Sequence, residues 1–158
     1  MKMICKKMEH DPPTSSYELA FEAATSRSPN LALAKSLLEK AHQNGDPRAS
    51  YALATWYLYG HGGCSIDLPQ AIEMLKIAAE ADIASAHFDL AVSYETGNGI
   101  RKSVRAAYRH FLAAALNGDN DSYAEVGRCL YHGIGVARDR KSAEIWFRRA
   151  DALGVNVR

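Results

Sequence analysis

The sequence predicts an all-α protein, a solenoid of helix-turn-helix repeats, and three observations predict it. A Gly-x-Gly loop recurs at Gly60-His61-Gly62, Gly97-Asn98-Gly99 and Gly133-Ile134-Gly135, at intervals of 37 and 36 residues. The trio Ala71, Leu75, Ala78 returns as Ala107, Phe111, Ala114 and as Ala143, Phe147, Ala150, with a partial copy, Ala34, Leu38, Ala41, one period earlier. Spacings of four and three lie on one helical face. Residues that cap helices well, Asn30, Asp67, Ser103 and Asp139, stand ahead of these trios at spacings of 37, 36 and 36. Self-similarity at a period between about 20 and 50 residues is the mark of stacked repeats.

Taken in order, residues 1–14 contain Asp11-Pro12-Pro13-Thr14 and no periodic apolar face, which predicts a loose arm. Ser15 or Ser16 can cap a helix through Tyr17, Leu19, Ala20, Phe21 and Ala24, and Arg27-Ser28-Pro29-Asn30 ends it. With the next helix, from Leu31 to about Gln43, this makes a degenerate repeat over 15–44. Full repeats follow at 45–81, 82–117 and 118–154, so that 15–158 reads as one domain. Their first helices are expected to start at Asp46, Asp82 and Asp119, with Pro47 at a permitted first-turn position. Asp82 arrives one residue early relative to its repeat's core, so that turn must differ slightly. Leu53 and Tyr57, Leu90 and Tyr94, and Val126 and Leu130 form the buried stripes, and Ala54, Ala91 and Gly127 beside them let helices approach closely. In each loop the first glycine suits the left-handed end of a helix and the second relieves the return turn.

Composition narrows the function. The 158 residues carry a formal net charge of +1, which leaves no global field for nucleic acid or an anionic membrane. No run approaches the roughly 18 apolar residues of a membrane span. The start, MKMICKKMEHDPP, lacks the apolar core of about 7–15 residues that a secretory signal needs. Cys5, Cys64 and Cys129 fall at unrelated phases of the repeat, which argues against a disulfide framework and for a reducing, cytoplasmic setting.

Candidates for chemistry are few. Cys129 and His132 have helical i, i+3 spacing, but a structural zinc site takes four ligands. His61 and Cys64 share the longest glycine loop, the basis of an alternative reading as an enzyme; no orienting third group or oxyanion donor accompanies them. Gly60-His61-Gly62-Gly63 lacks the Lys-Ser/Thr of a phosphate-binding loop. Arg101, Lys102, Arg105 and Arg109, and Arg138, Arg140 and Lys141, read as solvated faces or as a patch for an acidic partner. No metal or cofactor is expected.

The repeated residues resemble the Sel-one-like repeat, a cousin of the tetratricopeptide repeat with a lengthened glycine-rich turn. They are Gly45-Asp46, Ala49, Leu53, Tyr57, Gly60 and Gly62; Ala86, Leu90, Tyr94, Gly97 and Gly99; and Gly118-Asp119, Val126-Gly127, Gly133, Gly135, Asp139, Ala143 and Trp146. Departures are Ala81-Asp82 for Gly-Asp, Ser122 for Ala, Leu130 for Tyr and an extra residue within 61–66. The resemblance implies a right-handed superhelix that binds another protein along a concave wall of first helices. By the same likeness the open wall positions include Arg48, Tyr51, Thr55 and Tyr59, then Phe88, Val92 and Glu95, then Asp121, Arg128, Tyr131 and His132. The competing expectation is that neighbouring first helices bury these rings between them. If the positions are open, Phe88 and Arg128 serve as anchors whose replacement leaves stability nearly unchanged. The resemblance further implies a non-catalytic role: a bacterial adaptor or inhibitory partner, including immunity proteins against secreted toxins. The end of the last unit predicts a monomer or a weak homodimer through the C-terminal end.

Overall fold

The computed structural model describes residues 15–155. Eight helices follow one another: α1 (Ser16–Thr25), α2 (Leu31–Gln43), α3 (Pro47–Tyr59), α4 (Leu68–Glu80), α5 (Ala84–Thr96), α6 (Val104–Leu116), α7 (Asp121–His132) and α8 (Arg140–Ala152). No strand occurs among the described residues. Each helix packs chiefly on the one before it and the one after it, most closely within the pairs α1–α2, α3–α4, α5–α6 and α7–α8. The architecture is an α-solenoid. The proposed arm at 1–14, with Cys5, lies outside the described residues.

Local chemistry sets the second helices in register. The side chains of Asn30, Asp67 and Ser103 accept from the amides of Leu33, Gln70 and Ala106, and Asp139 accepts from those of Lys141 and Ser142. Each satisfies helix-end donors that otherwise lack partners. The backbone amides of these four cap residues point back to the preceding helix, donating to Ala23 O at 2.9 Å, Tyr57 O at 3.0 Å, Tyr94 O at 2.8 Å and Leu130 O at 2.9 Å. One side chain and one amide thus close every pair. Helix α1 begins with a complete capping box between Ser15 and Glu18.

The first helices are less uniform. Asp46 caps α3 as expected. In α7 the helix is counted from Asp121, yet the Asp119 carboxylate accepts from both the amide and the hydroxyl of Ser122, at 2.8 and 2.7 Å. That bond explains how Ser122, in place of alanine, is fully buried. Asp82 does not cap α5. It adopts φ 57°, the left-handed conformation that Gly45 (84°) and Gly118 (96°) take at the matching points, and Ile83 stands in the cap position without a side-chain bond. The unit therefore carries Asp82 where its neighbours carry glycine, one place along from the Ala81-Asp82 alignment. Aspartate is among the non-glycine residues that tolerate this conformation best. Ile83 packs against the core instead of capping.

The second glycine of the loop does more than ease a turn. A Cβ on Gly99 would lie 2.8 Å from Leu68 Cβ and 2.9 Å from Leu68 O, at the start of α4. On Gly135 it would lie 2.0 Å from Val104 O, at the start of α6. Each of these glycines presses the loop of one repeat onto the first turn of the previous repeat's second helix. In the longer loop of the first full unit, Gly62 faces Trp56 of its own helix instead.

Three core clusters run along the solenoid, and each joins adjacent pairs. They centre on Leu38 and Leu53, on Leu75 and Leu90, and on Phe111, Val126 and Leu130. The second-helix trios are buried except for Phe147, which is half-buried in the last unit. Gly127 admits that ring: a Cβ there would meet Phe147 Cε1 at 2.6 Å.

Between α4, α5 and α6 lies a histidine pair that the repeat pattern does not demand. His87 Nδ1 and His110 Nδ1 share a hydrogen bond of 3.0 Å, and Tyr94 stacks on the His110 ring at 5.4 Å. His87 Nε2 is buried without a partner, 3.9 Å from Asp82. Burial, with His87 and then Arg109 adding to it, lowers the His110 pKa from 6.5 to about 4. The folded state therefore binds fewer protons than the unfolded one across this window. Stability is full above pH 6.5, falls as pH drops towards 4, and levels off below that. The unscreened cost is about 3 kcal/mol, and solvent at this partly exposed ring reduces it to about 1–2 kcal/mol. Urea titrations at pH 7 and near pH 4.5 should show wild type losing that much more stability than His110→Gln, which keeps an acceptor for His87. Equal losses would remove His110 as the cause.

Candidate protein-docking wall

The first helices α3, α5 and α7 carry all eleven wall residues expected from the sequence, and side chains link successive ones, Tyr51 of α3 to Asp89 of α5 and Arg128 of α7 to Glu95 of α5. Arg48 sits at the N-terminal end, paired with Asp46 at 2.8 Å and stacked 4.4 Å from the Tyr17 ring of α1. Tyr51 is half-buried against the core beside Ser85 and Asp89, and burial pushes its hydroxyl up to about 12. The Thr55 hydroxyl donates to Ala52 O within its own helix. Tyr59 is 60% exposed and lies against the His61 ring.

In α5, Phe88 is not an open anchor. Its ring meets Phe111 edge-on at a centroid distance of 5.7 Å and packs on the third core cluster. Val92 is 37% exposed. Glu95 reaches across to α7, where Arg128 donates to both its carboxylate oxygens at 2.8 and 3.0 Å and to Glu125 at 2.7 Å. Burial works against the Arg128 charge, but the two carboxylates more than offset it and raise its pKa. Arg128 is thus a strut between α5 and α7, already neutralised from within. A charge-assisted pairing of this kind is among the stronger hydrogen bonds, so replacing Arg128 disturbs the fold as well as any docking.

Further along α7, Asp121 and His132 are exposed. Tyr131 is half-buried, with His132 and Phe147 rings around it and the Arg140 guanidinium 5.0 Å from its centre. The wall residues therefore split: Tyr51, Phe88 and Tyr131 are partly core, Glu95 and Arg128 are joined, Arg48 is exposed but paired with Asp46, and Thr55, Tyr59, Val92, Asp121 and His132 face outward or nearly so. The expectation that Phe88 and Arg128 could be changed without cost to stability does not survive these contacts.

One wall residue escaped the sequence reading. Asp89 follows Phe88 in α5, half-buried, with no ion pair among the described residues. Burial raises its carboxyl pKa, Tyr51 beside it partly offsets this, and the nearby Asp119 raises it further. A carboxylate one position before the buried Leu90 was the available signal.

The other candidates do not assemble. Cys64 is buried and linked to His61 only by a backbone bond from its amide to His61 O, while the His61 side chain is exposed. Cys129 is buried, and burial pushes its thiol up to about 11, away from the thiolate that a ligand or nucleophile requires. Among the described residues no three His, Cys, Asp or Glu side chains gather as for a metal ion. No helix there is long and apolar enough to cross a membrane.

Comparison with known proteins agrees with the all-helical repeat fold. The Sel1 repeat model matches residues 47–83, 84–119 and 120–155. A Sel1 repeat protein from Oxalobacter formigenes superposes with a TM-score of 0.82 at 25% identity, over 88% of this chain and 56% of that one. The protective antigen c5321 of uropathogenic Escherichia coli, described as having an SLR fold, superposes with a TM-score of 0.83 at 28% identity, over 88% of this chain and 30% of that one. The chitin synthase regulator SKT5 of Malassezia restricta is 33% identical over 122 residues, 76% of this chain and 8% of that protein. The chain thus spans only part of the length of each of these relatives. With three consecutive matched units covering more than half of its length, the chain belongs to the Sel1 repeat family.

Proposed function

We propose that this chain is a non-catalytic protein-binding module, an adaptor or inhibitory partner, that docks a segment of another protein along the wall of α3, α5 and α7. Sel1 repeat proteins are generally protein-interaction modules, and the helical solenoid offers an extended surface of the kind such modules use. The observation that carries the proposal is Val92. It stands exposed on the middle first helix, one turn along from the half-buried Phe88, on a helix that Tyr51 of α3 and Arg128 of α7 reach at Asp89 and Glu95.

Val92 also provides the cleanest test. A photo-crosslinking amino acid placed at Val92 should trap the partner in cells. The same residue at Ile77, equally apolar and 44% exposed on α4, should not. Adducts at Ile77 alone would move the docking surface to the second helices. With a partner in hand, Val92→Asp should weaken binding by about 1 kcal/mol or more while changing stability by only about 0.5 kcal/mol. Phe88→Asp cannot separate the two effects, because it also removes the Phe111 contact.

A further inference from the structure

Charge is divided between the two sets of helices. Helices α3, α5 and α7 hold two arginines against four carboxylates, net −2, before the cap residues Asp46 and Asp119 are counted. Helices α4, α6 and α8 hold seven lysines and arginines against four carboxylates, net +3, or +1 once their cap residues Asp67 and Asp139 are counted. The near-neutral total conceals this division. On the first-helix wall the arginines are both engaged: Arg48 by Asp46, and Arg128 by Glu95 and Glu125. The network around Arg128 still carries one negative charge in excess. Among the described residues Asp89 has no cation partner, and the charged group acting on it is the like-signed Asp119.

We infer that the segment taken by this wall is basic, and that a lysine or arginine of the partner protein pairs with Asp89 beside the Tyr51 ring. This rests on the docking reading above and specifies its chemistry. A partly buried carboxylate without a counter-ion is unfavourable, and an arriving cation relieves it while its methylene stem covers the apolar surface around Val92. Tyr51 offers an aromatic ring to the same cation. An acidic segment would meet the opposite conditions, since both arginines of α3, α5 and α7 are already paired and like-charge approach is penalised.

The test uses the full chain and two short labelled peptides, one of lysine, arginine and leucine, the other with glutamate at every basic position. Fluorescence anisotropy at low salt gives affinity, and amide NMR shifts locate the site. The basic peptide should bind with shifts on α3, α5 and α7, and the glutamate peptide should not bind measurably. Asp89→Asn should weaken the basic peptide about tenfold. Glu73→Gln, which removes the same charge from the exposed face of α4, should change it less than about twofold. Asparagine is isosteric and burial already favours an uncharged side chain there, so the variant should fold; Asp89→Ala provides a second check. Equal losses in Asp89→Asn and Glu73→Gln would reduce the attraction to a diffuse field and overturn the inference. Binding of the glutamate peptide to the same wall would overturn it too, while leaving the docking reading intact. Shifts confined to α4, α6 and α8, or no binding of either peptide, would take both down.

Discussion

Gly135→Ala should destabilise the protein by about 3 kcal/mol or more, although it adds a single methyl group. Two costs combine. At φ 70° an alanine sits in the left-handed region, which disfavours L-residues by about 1–2 kcal/mol. The new Cβ would also stand 2.0 Å from Val104 O and 2.9 Å from Arg105 N, both backbone atoms at the first turn of α6. No side-chain rotation can clear them, so the two repeats must separate, and overpacking of this kind costs about 1–3 kcal/mol. Gly63→Ala is the matched control. Its φ is 77°, yet nothing lies within 4 Å of the added atom, so it should show the dihedral cost alone. Urea midpoints for both variants measure the difference. Equal losses would mean that the contact relaxes and that Gly135 serves only its own turn.

Phe111→Ala should cost about 3–5 kcal/mol, the usual range for truncating a buried phenylalanine. The ring is 1% exposed and sits in the cluster formed by Ala91, Ala107, Val126 and Leu130, with Phe88 edge-on against it. It therefore joins the α5–α6 pair to the α7–α8 pair. Phe147→Ala, the same change one repeat later at a half-buried ring, should cost clearly less. The comparison can be made by equilibrium denaturation of the two variants. A ranking in the opposite order would show that the last pair, not the third, anchors the stack.

The parts of the structure legible in the sequence are those that a single helix decides. Asn30, Asp67, Ser103 and Asp139 needed only a cap and a period to be placed, and all four cap as read. The trios did as well, because spacing alone selects a helical face. What depended on two helices was harder. Arg128 finds Glu95 across 33 residues, and that partnership follows from how α5 and α7 are rotated about their axes, which no period reports. Asp89 became visible only when its burial and the absence of a cation could be seen together. Asp82 misled in another way: its type suited a cap, but Gly45 and Gly118 show that its position requires a left-handed residue. The second glycines looked like turn formers because the helix they touch belongs to the repeat before.

The amide bonds that close each pair also bear on how the chain folds. Asp67 reaches back to Tyr57, Ser103 to Tyr94 and Asp139 to Leu130, so each closure spans only nine or ten residues. Loops of that length close in about 10–100 ns, and their entropy cost is small. Among the described residues every cluster joins neighbours along the chain, and a topology of such low contact order folds quickly. A pair can form as soon as its two helices exist and then serve as the template for the next. During synthesis the described repeats are thus able to grow as a stack, each pair closing before the next has left the ribosome.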